Sequence, residues 1–465
     1  MDASSRRLID WVAWVALAAV GAVPACTNYR PEPLNPASVA AALQPVPIES
    51  VKVAASALHH PLVAALTIDG RDGFSPDEIA VMVVVVSPEL RALRDQRGVA
   101  QAQVLQAGIL PNPQLAYAVD NPHGNADPTL VSARSLGLSW DVTSLLVHHD
   151  QQASANAAAQ SVDLSVAWQE WQAAQDARLR AFRILSLEQR LPLAREVERD
   201  LADGLALTRK AVGLGYQTEP ELTAAADAWT QAENSRFDLE TQLAGDRTAL
   251  RLALGLPPGA PLALKPAAAF PALPAGTESA AADLLQGLED RRLDLVALRR
   301  GYESQDASLR AAIKAQFPKI NLSVNRARDT TPVNTRGWGI TADLPIFDRN
   351  QGQVAIGQAT RQQLFDEYVA RVAEARSQVG EILDSLAVAQ AQLRNASEGL
   401  PALRQLAQSF DAAMKTRNAD LPAARDARGA LAAREMEAAQ LQQQVLELEV
   451  GLEIAAGRPL LNRNR

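Results

Sequence analysis

The chain contains few of the residue types that most folds or enzymes rely on. Only one of its 465 residues is a cysteine, Cys26, so no intrachain disulfide can form and packing must hold the fold together. Aromatic residues make up 4% of the chain. The sequence has no block of lysines and arginines, and its formal net charge is -8. This composition predicts no nucleic-acid partner.

Catalytic and cofactor-binding motifs are also missing. The sequence contains no phosphate-binding glycine loop, no Cys-x-x-Cys and no His-Glu-x-x-His. Adjacent residues on a helix diverge by about 100°, so His148 and His149 do not form a bidentate metal site. We interpret them as a solvated or pore-rim pair where strand becomes helix, and the same interpretation applies to His59 and His60. We therefore predict no enzyme, no cofactor and no resident metal.

The start of the chain is typical of an export signal. Two arginines precede the apolar run Leu8 to Val23, which is interrupted only by Asp10 and is short for a spanning helix. Cys26 lies where a lipoprotein signal would be cut, and Val23 and Ala25 are the small or aliphatic residues that such a site requires. We predict a signal peptide and a lipidated, palmitate-bearing Cys26. The alternative is a plain exported protein with an incidental cysteine.

What the chain does contain is an internal duplication. A shift of about 205 residues places Leu90 on Leu295 and Pro113 on Pro318. Such a period is too long for a solenoid and indicates two copies of one unit. A helix start is predicted at Ser75, with a break at Ser87-Pro88, whereas the proline-rich stretch 27–69 favours an extended tether.

Two strands follow the proline that the two copies share, and their residues alternate between apolar and polar. Apolar side chains on one face and polar ones on the other fit a membrane barrel. Four strands cannot close without an open edge, so several protomers must share the barrel. The alternative is a small soluble sheet with one face buried on the helices. The apolar positions are Leu115, Tyr117, Val119, Leu136, Leu138, Trp140, Val142, Ile320, Leu322, Val324, Trp338, Ile340, Ala342 and Leu344.

Each strand pair precedes a very long helical stretch, at about 149–212 and about 353–417. Roughly 65 helical residues span on the order of 100 Å, which exceeds an ordinary globular core. Each stretch then turns, and a second helix returns to Gly255 or Gly457. Antiparallel helices of this length pack as coiled coils, and a closed ring of them would form a tube.

Three segments carry a resemblance to a known family: 110–115 (LPNPQL), 317–320 (FPKI) and 344–352 (LPIFDRNQG). In this order and spacing, the chain resembles the outer-membrane efflux factors of the TolC-like family over nearly its whole mature length. The third segment is most similar to the branch that serves heavy-metal pumps of the resistance-nodulation-division type.

The resemblance implies a mainly α fold with a small transmembrane β part. Duplicated helical hairpins would form a trimeric α-barrel in the periplasm, and four strands per protomer would enter a shared 12-stranded β-barrel. The expected location is the outer membrane of a Gram-negative bacterium, in contact with its lipid. The implied partners are two further copies of the chain, a periplasmic adaptor protein and an inner-membrane pump. The implied function is passive efflux, with heavy-metal cations as cargo or, alternatively, drugs or other small organic molecules. A rival from another class is a lipid-anchored periplasmic coiled-coil scaffold.

The resemblance also implies site residues. The hairpin tips that meet the adaptor would run from Gly213 through Gly215 to Glu221, and from Arg417 to Asp426. An acidic ring that narrows the tunnel would include Asp426, with Asp420 as the nearest substitute for a partner position that holds Ala423. The alternative is an exposed acidic turn of the kind found on any helical hairpin. Trp140 and Trp338 occupy strand positions that suit an interfacial aromatic belt, with ordinary packing as the alternative. The expected segments are a signal peptide (1–25), a lipid-anchored tether (26–74), a first repeat (75–257), a linker (258–289), a second repeat (290–457) and a tail (458–465).

Overall fold

The structure is a computed structural model that describes residues 29–123, 129–265, 281–415 and 421–459. It divides into two units, residues 1–45 and residues 46–465. In the first unit, α1 (Pro36–Ala42) begins at a capping box in which Asn35 and Ser38 each satisfy the other's backbone N–H.

All other elements belong to the second unit. They are α2 (Ile48–Ser56), α3 (Pro76–Val86), α4 (Pro88–Gly108), β1 (Gln114–Asp120), β2 (Ala133–Asp141), α5 (Ser144–Gly213), α6 (Glu219–Ala253), α7 (Ala281–Leu285), α8 (Leu288–Arg291), α9 (Leu293–Lys314), β3 (Ile320–Arg328), β4 (Asn334–Ala342), α10 (Gln351–Glu398), α11 (Leu400–Lys415) and α12 (Leu421–Ala456).

The two copies of the predicted unit are visible in this order of elements. The first copy consists of α4, β1, β2, α5 and α6, and the second of α9, β3, β4, α10 with α11, and α12. Leu90 and Leu295, which the 205-residue shift superimposes, are both buried, one in α4 and one in α9. The predicted fold class, mainly helical with a small sheet, is confirmed.

The predicted helix start and break are also present. Ser75 caps α3, its hydroxyl accepting a hydrogen bond from the Glu78 N–H, while the Glu78 carboxylate accepts one from the Ser75 N–H at 2.7 Å. Proline at the first position of α4 cannot continue α3, and Ser87 caps the new helix. The sequence signals therefore mark both boundaries.

The long helices differ between the copies. Helix α5 has 70 residues, or about 105 Å at 1.5 Å per residue, and it continues through Pro192. In the second copy the helix ends at Glu398, and α11 begins after Gly399, just before Pro401. A proline removes one backbone donor in either copy, but only the second copy places a glycine beside it.

The segment predicted as an extended tether packs instead, so that interpretation is wrong for its second half. Val51 and Ala55 of α2, together with Val63 and Ile68, are each no more than 4% exposed. They join the core around α3 and the middle of α5. The spacing of Val51 and Ala55 places both on one helix face, a signal that the flanking prolines obscured.

The core of the second unit surrounds α3 and α5. Helix α3 is buried almost all round, from Ile79 to Val84, as expected for a helix with no polar face. It packs on the part of α5 that contains Trp168 and Trp171. Among helices within the described ranges, none is both long and apolar enough to cross a membrane.

Candidate channel-forming surfaces

The four strands form one antiparallel sheet in the order β1-β2-β3-β4. The register aligns the apolar residues in rows across all four strands, for example Leu115, Leu138, Val324 and Trp338. Because the pleat alternates, the residues between these rows lie on the opposite face. The predicted division into an apolar and a polar face is thus preserved in the helix-proximal part of the sheet.

The apolar face of the sheet is exposed in the protomer. Leu115 is 66% exposed, Val324 56% and Trp338 79%. The alternative of a soluble sheet buried on the helices requires this face to be covered, so it does not fit. Exposed apolar side chains also continue past the helix-proximal end of the strands, at Leu344, Ile346 and Phe347. A contiguous apolar surface of this kind marks a membrane or protein contact.

Both outer edges of the sheet are open. Among the described residues, β1 pairs only with β2, and β4 pairs only with β3. Unpaired strand edges expose backbone donors and acceptors that bind another strand. Such edges can accept strands of other chains.

The opposite face carries small and polar residues. Asn325 lies between Gly137 and Gly337 in the register. A Cβ atom built on Gly337 would lie 2.6 Å from the Asn325 Oδ1 atom, so a larger residue there would require the Asn325 amide to move. Ser323 donates a hydrogen bond to the Gly339 carbonyl oxygen on the same face. Such a lining suits water rather than lipid.

The two predicted aromatic residues occupy different levels of the sheet. Trp140 lies near the helix-proximal end, and its Nε1–H donates to the Pro111 carbonyl oxygen at 2.8 Å. Trp338 lies one row further out, opposite Val324, in the middle of its strand. Trp140 is thus placed where a membrane interface would be expected, whereas Trp338 lies within the apolar band.

Strand-to-helix junctions in the two copies are fixed by local hydrogen bonds. In the first copy the Ile320 N–H donates to the Thr143 Oγ1 atom at 2.5 Å, which ties the start of α5 to β3. In the second copy Asn350 adopts a positive φ of 59° directly before α10. Its side-chain amide donates to the Ala312 carbonyl oxygen of α9 at 2.8 Å. The segment 344–352 therefore orients the long helix relative to the strands.

The first hairpin tip contains the predicted residues in a tight turn. Gly213 ends α5, and Gly215 adopts a positive φ of 78°. Glu221 accepts hydrogen bonds from the backbone N–H and the hydroxyl of Thr218, which lower the pKa of Glu221, so its observed contacts are those of a helix cap. Leu214 and Tyr216 lie within the predicted tip, on either side of Gly215, and are 71% and 82% exposed. The sequence analysis did not single them out, and their exposure in a turn is an observation that only the structure provides.

The second tip is described only in part. Arg417 and Asp420 lie outside the described residues, as does Cys26 at the other end of the chain. Asp426, on α12, is exposed. It lines a groove between the two hairpins together with Arg425, Gly204, Leu207 and Gln217. The hairpin ends thus lie side by side, with Asp426 at their junction.

Two clusters of buried charges hold the helices together below the sheet. In the first, Glu170 of α5 is almost fully buried and pairs with Arg94 and, at 3.2 Å, with Arg97 of α4. The His60 Nε2 atom lies 3.6 Å from the same carboxylate and 3.0 Å from the Ala167 carbonyl oxygen. Burial lowers the pKa of His60. The prediction that His60 is solvated is therefore wrong, because the segment containing it packs.

The second cluster joins α5 to α12. The Arg178 Nη1 atom donates to the Glu453 Oε2 atom at 2.8 Å, and both side chains are buried. Gln175 donates to the same oxygen at 3.0 Å. Glu449, one turn before Glu453, is 3% exposed. Burial, followed by the negative charge of Glu453, raises the pKa of Glu449 to about 8.

We expect the Glu449→Gln variant to be more stable than the wild type above neutral pH. The folded state binds the Glu449 proton more tightly than the unfolded state, whose pKa is near the ordinary 4.5. Wild-type stability should therefore fall as pH rises from about 4.5 through about 8. The variant lacks this ionisation, so its gain near pH 9 should be on the order of a few kcal/mol. Urea unfolding at several pH values measures the difference, and parallel pH profiles for the two proteins would contradict it.

The sequence analysis predicted neither cluster, because it interpreted the helices of this region only as parts of a tube wall. Glutamates and arginines are common on solvated helix faces, so periodicity alone does not single out Glu170 or Glu453. As regards metal binding, the described residues contain no group of three or more histidine, cysteine, aspartate or glutamate side chains that could hold an ion.

Comparisons with known proteins agree with the sheet and the long hairpins. The family model described as outer membrane efflux protein matches residues 284–458. The cobalt-zinc-cadmium resistance protein CzcC of Cupriavidus metallidurans is 26% identical over 276 residues, which cover 57% of this chain and 62% of CzcC. Outer membrane protein OprJ of Pseudomonas aeruginosa is 28% identical over 249 residues, which cover 50% of this chain and 48% of OprJ. The matched region thus spans less than two thirds of either relative.

Solved structures match over more of the chain. CusC, described in connection with transmembrane channel formation, covers 86% of this chain with a TM-score of 0.64 at 19% identity, and 98% of CusC is matched. The open state of the MtrE outer membrane channel of Neisseria gonorrhoeae covers 87% of this chain with a TM-score of 0.64 at 16% identity, and 93% of MtrE is matched. These similarities establish the fold. The resemblance predicted from the sequence is thus matched by a similarity to outer membrane efflux proteins over residues 284–458 and by a shared fold with solved outer-membrane channels.

Proposed function

Because the chain resembles outer-membrane efflux proteins in both sequence and fold, we propose that it is the outer-membrane duct of a tripartite efflux system. The observation that carries this proposal is the sheet. Its apolar face is exposed, its opposite face is small and polar, and both of its edges are open. When copies of such a sheet close into a barrel, the open edges pair with one another, the apolar face contacts lipid and the polar face contacts water.

The proposed assembly is a trimer. Three four-stranded sheets give twelve strands, and the α5–α6 and α10–α12 hairpins would line a periplasmic tunnel below them. The proposed partners are a periplasmic adaptor at the hairpin tips and an inner-membrane pump of the resistance-nodulation-division type. Leu214 and Tyr216 offer the adaptor exposed side chains in a rigid turn. Lipidation at Cys26 would add a second attachment to the outer membrane.

For cargo, we propose heavy-metal cations. The support is the similarity to CzcC, whose name specifies cobalt, zinc and cadmium resistance. Asp426 is the candidate gate residue, since three exposed carboxylates around one axis would favour cations at the tunnel end. A duct of this kind needs no tight metal ligand, because a tight site would retain the ion.

The test is a deletion strain of the source bacterium, challenged with cobalt, zinc and cadmium salts and with a panel of antibiotics. Loss of tolerance to at least one metal is expected, with restoration by the wild-type gene. Cys26→Ala should restore tolerance only in part if lipidation aids assembly, and Asp426→Asn should lower metal tolerance at unchanged protein level. Sensitivity to antibiotics but to no metal would replace the metal proposal by the drug-efflux alternative. Recovery of the wild-type protein as a soluble periplasmic monomer would exclude the duct itself.

A further inference from the structure

The sheet carries a charged surface that the duct proposal does not use. Four arginines lie near the end of the sheet that is furthest from the helices, where β2 begins, β3 ends and β4 begins. All four are exposed. We call this surface the distal arginine face. It consists of Arg134, Arg326, Arg328 and Arg336.

The register places these arginines on the apolar face rather than on the polar one. Leu136, which continues the apolar positions of β2, is aligned with Arg326 of β3, and Arg326 with Arg336 of β4. Arg336 is two residues from Trp338, so both point to the same side of the pleat. Following β3 outward, that face therefore reads Leu322, Val324, Arg326 and Arg328. Apolar side chains change to arginines within one strand.

The arginines are not neutralised by the described part of the chain. Arg134 is aligned with Arg328, and Arg326 with Arg336, so two pairs of like charges lie directly across neighbouring strands. Such pairs destabilise a sheet. None of the four forms an ion pair with a described residue. The carboxylate of nearby Asp120 does not lie among them, because strand alternation places Asp120 on the polar face. An anion from outside the protomer would relieve this repulsion.

We propose that the distal arginine face binds the phosphate groups of outer-leaflet lipid. This inference rests on the proposed membrane duct. The apolar rows would contact acyl chains, and the arginines would then lie at headgroup level on the lipid side of the barrel. Guanidinium groups bind phosphate oxygens in a bidentate manner, and paired arginines on adjacent strands present several such donors together. Charge complementarity and the sharp change from apolar to basic residues identify the occupant as a phosphorylated lipid.

The test measures binding of fluorescent lipid A, a phosphorylated glycolipid, to the purified full chain in neutral-detergent micelles. Each arginine near a lipid surface contributes about 1 kcal/mol, so Arg326→Gln/Arg336→Gln should weaken binding about 30-fold. The matched control is Arg91→Gln/Arg394→Gln, which removes two exposed helical arginines and should leave the affinity within about twofold of wild type. Arg326→Lys/Arg336→Lys keeps both charges but loses the bidentate geometry, so its affinity should lie between that of the wild type and that of the Gln variant.

A second measurement does not depend on the variants. Wild-type protein should bind dephosphorylated lipid A far more weakly than lipid A, and added salt should weaken only the phosphate-dependent part. Equal affinity for the two lipids, or equal affinity of the Gln variant and its control, would overturn the proposal. Trimer formation and conductance in neutral-lipid bilayers are recorded on the same preparations. Wild type that conducts but does not distinguish the lipids refutes this inference alone, whereas wild type that neither trimerises nor conducts refutes the duct.

Discussion

Val324→Arg should abolish insertion of the protein into the outer membrane. Val324 lies in the middle of β3, on the exposed apolar face, between Leu138 and Trp338 in the register. An arginine on the lipid face of a barrel costs about 2–4 kcal/mol at the midplane and about 0–1 kcal/mol near the interface. Val324 lies one row inside Arg326, so the cost in each chain should fall between these values, and a trimer would carry it three times. Heat-modifiable trimer in outer-membrane fractions, detected by immunoblot, should fall below about a tenth of the wild-type amount.

The matched control is the neighbouring residue. Asn325→Arg places the same side chain on the opposite face, between two glycines, where the proposed barrel contains water. This variant should insert at close to the wild-type level. If both variants insert equally well, the apolar face does not contact lipid, and the assignment of the two faces is wrong. If only Asn325→Arg fails, the sheet is inverted relative to the proposal.

Arg178→Met should produce the largest loss of stability among single changes in the helical body. Arg178 is the hydrogen-bonded partner of Glu453, which is 1% exposed, and Glu449 is buried one turn away. Removing one member of a buried pair leaves an uncompensated charge, at a cost of about 3–5 kcal/mol. Urea unfolding of the detergent-solubilised chain, followed by circular dichroism, measures this loss.

Two companion variants show whether charge is the cause. Arg195→Met removes an arginine that is half exposed and pairs with Glu240 at 2.8 Å, so it should cost no more than about 1 kcal/mol. Arg178→Met/Glu453→Gln removes both charges of the buried pair and should recover a substantial part of the loss. If the double variant is as unstable as Arg178→Met, lost packing rather than unpaired charge explains the effect.

Much of the fold follows from local patterns in the sequence. The alternation in Gln114–Asp120 and Ile320–Arg328 predicts strands with two unlike faces, and the structure contains both strands. The boundary at Ser87-Pro88 is equally local, because proline cannot continue a helix and serine caps the next one. Segment 48–69 was mispredicted because its prolines suggested extension, whereas its few apolar residues find their partners in the core around α3 and α5.

The sequence by itself determined the duplication, the two faces of each strand and the great length of the hairpins. These properties depend on residue order and on the fixed periods of helix and strand, so they are readable without coordinates. Only the tertiary structure decided which surfaces remain uncovered and which charges are buried. The exposed apolar face, the pairing of Arg178 with Glu453 and the alignment of Arg326 with Arg336 all join residues from different elements. Contacts between distant elements depend on register and packing, and no local pattern in the chain encodes them.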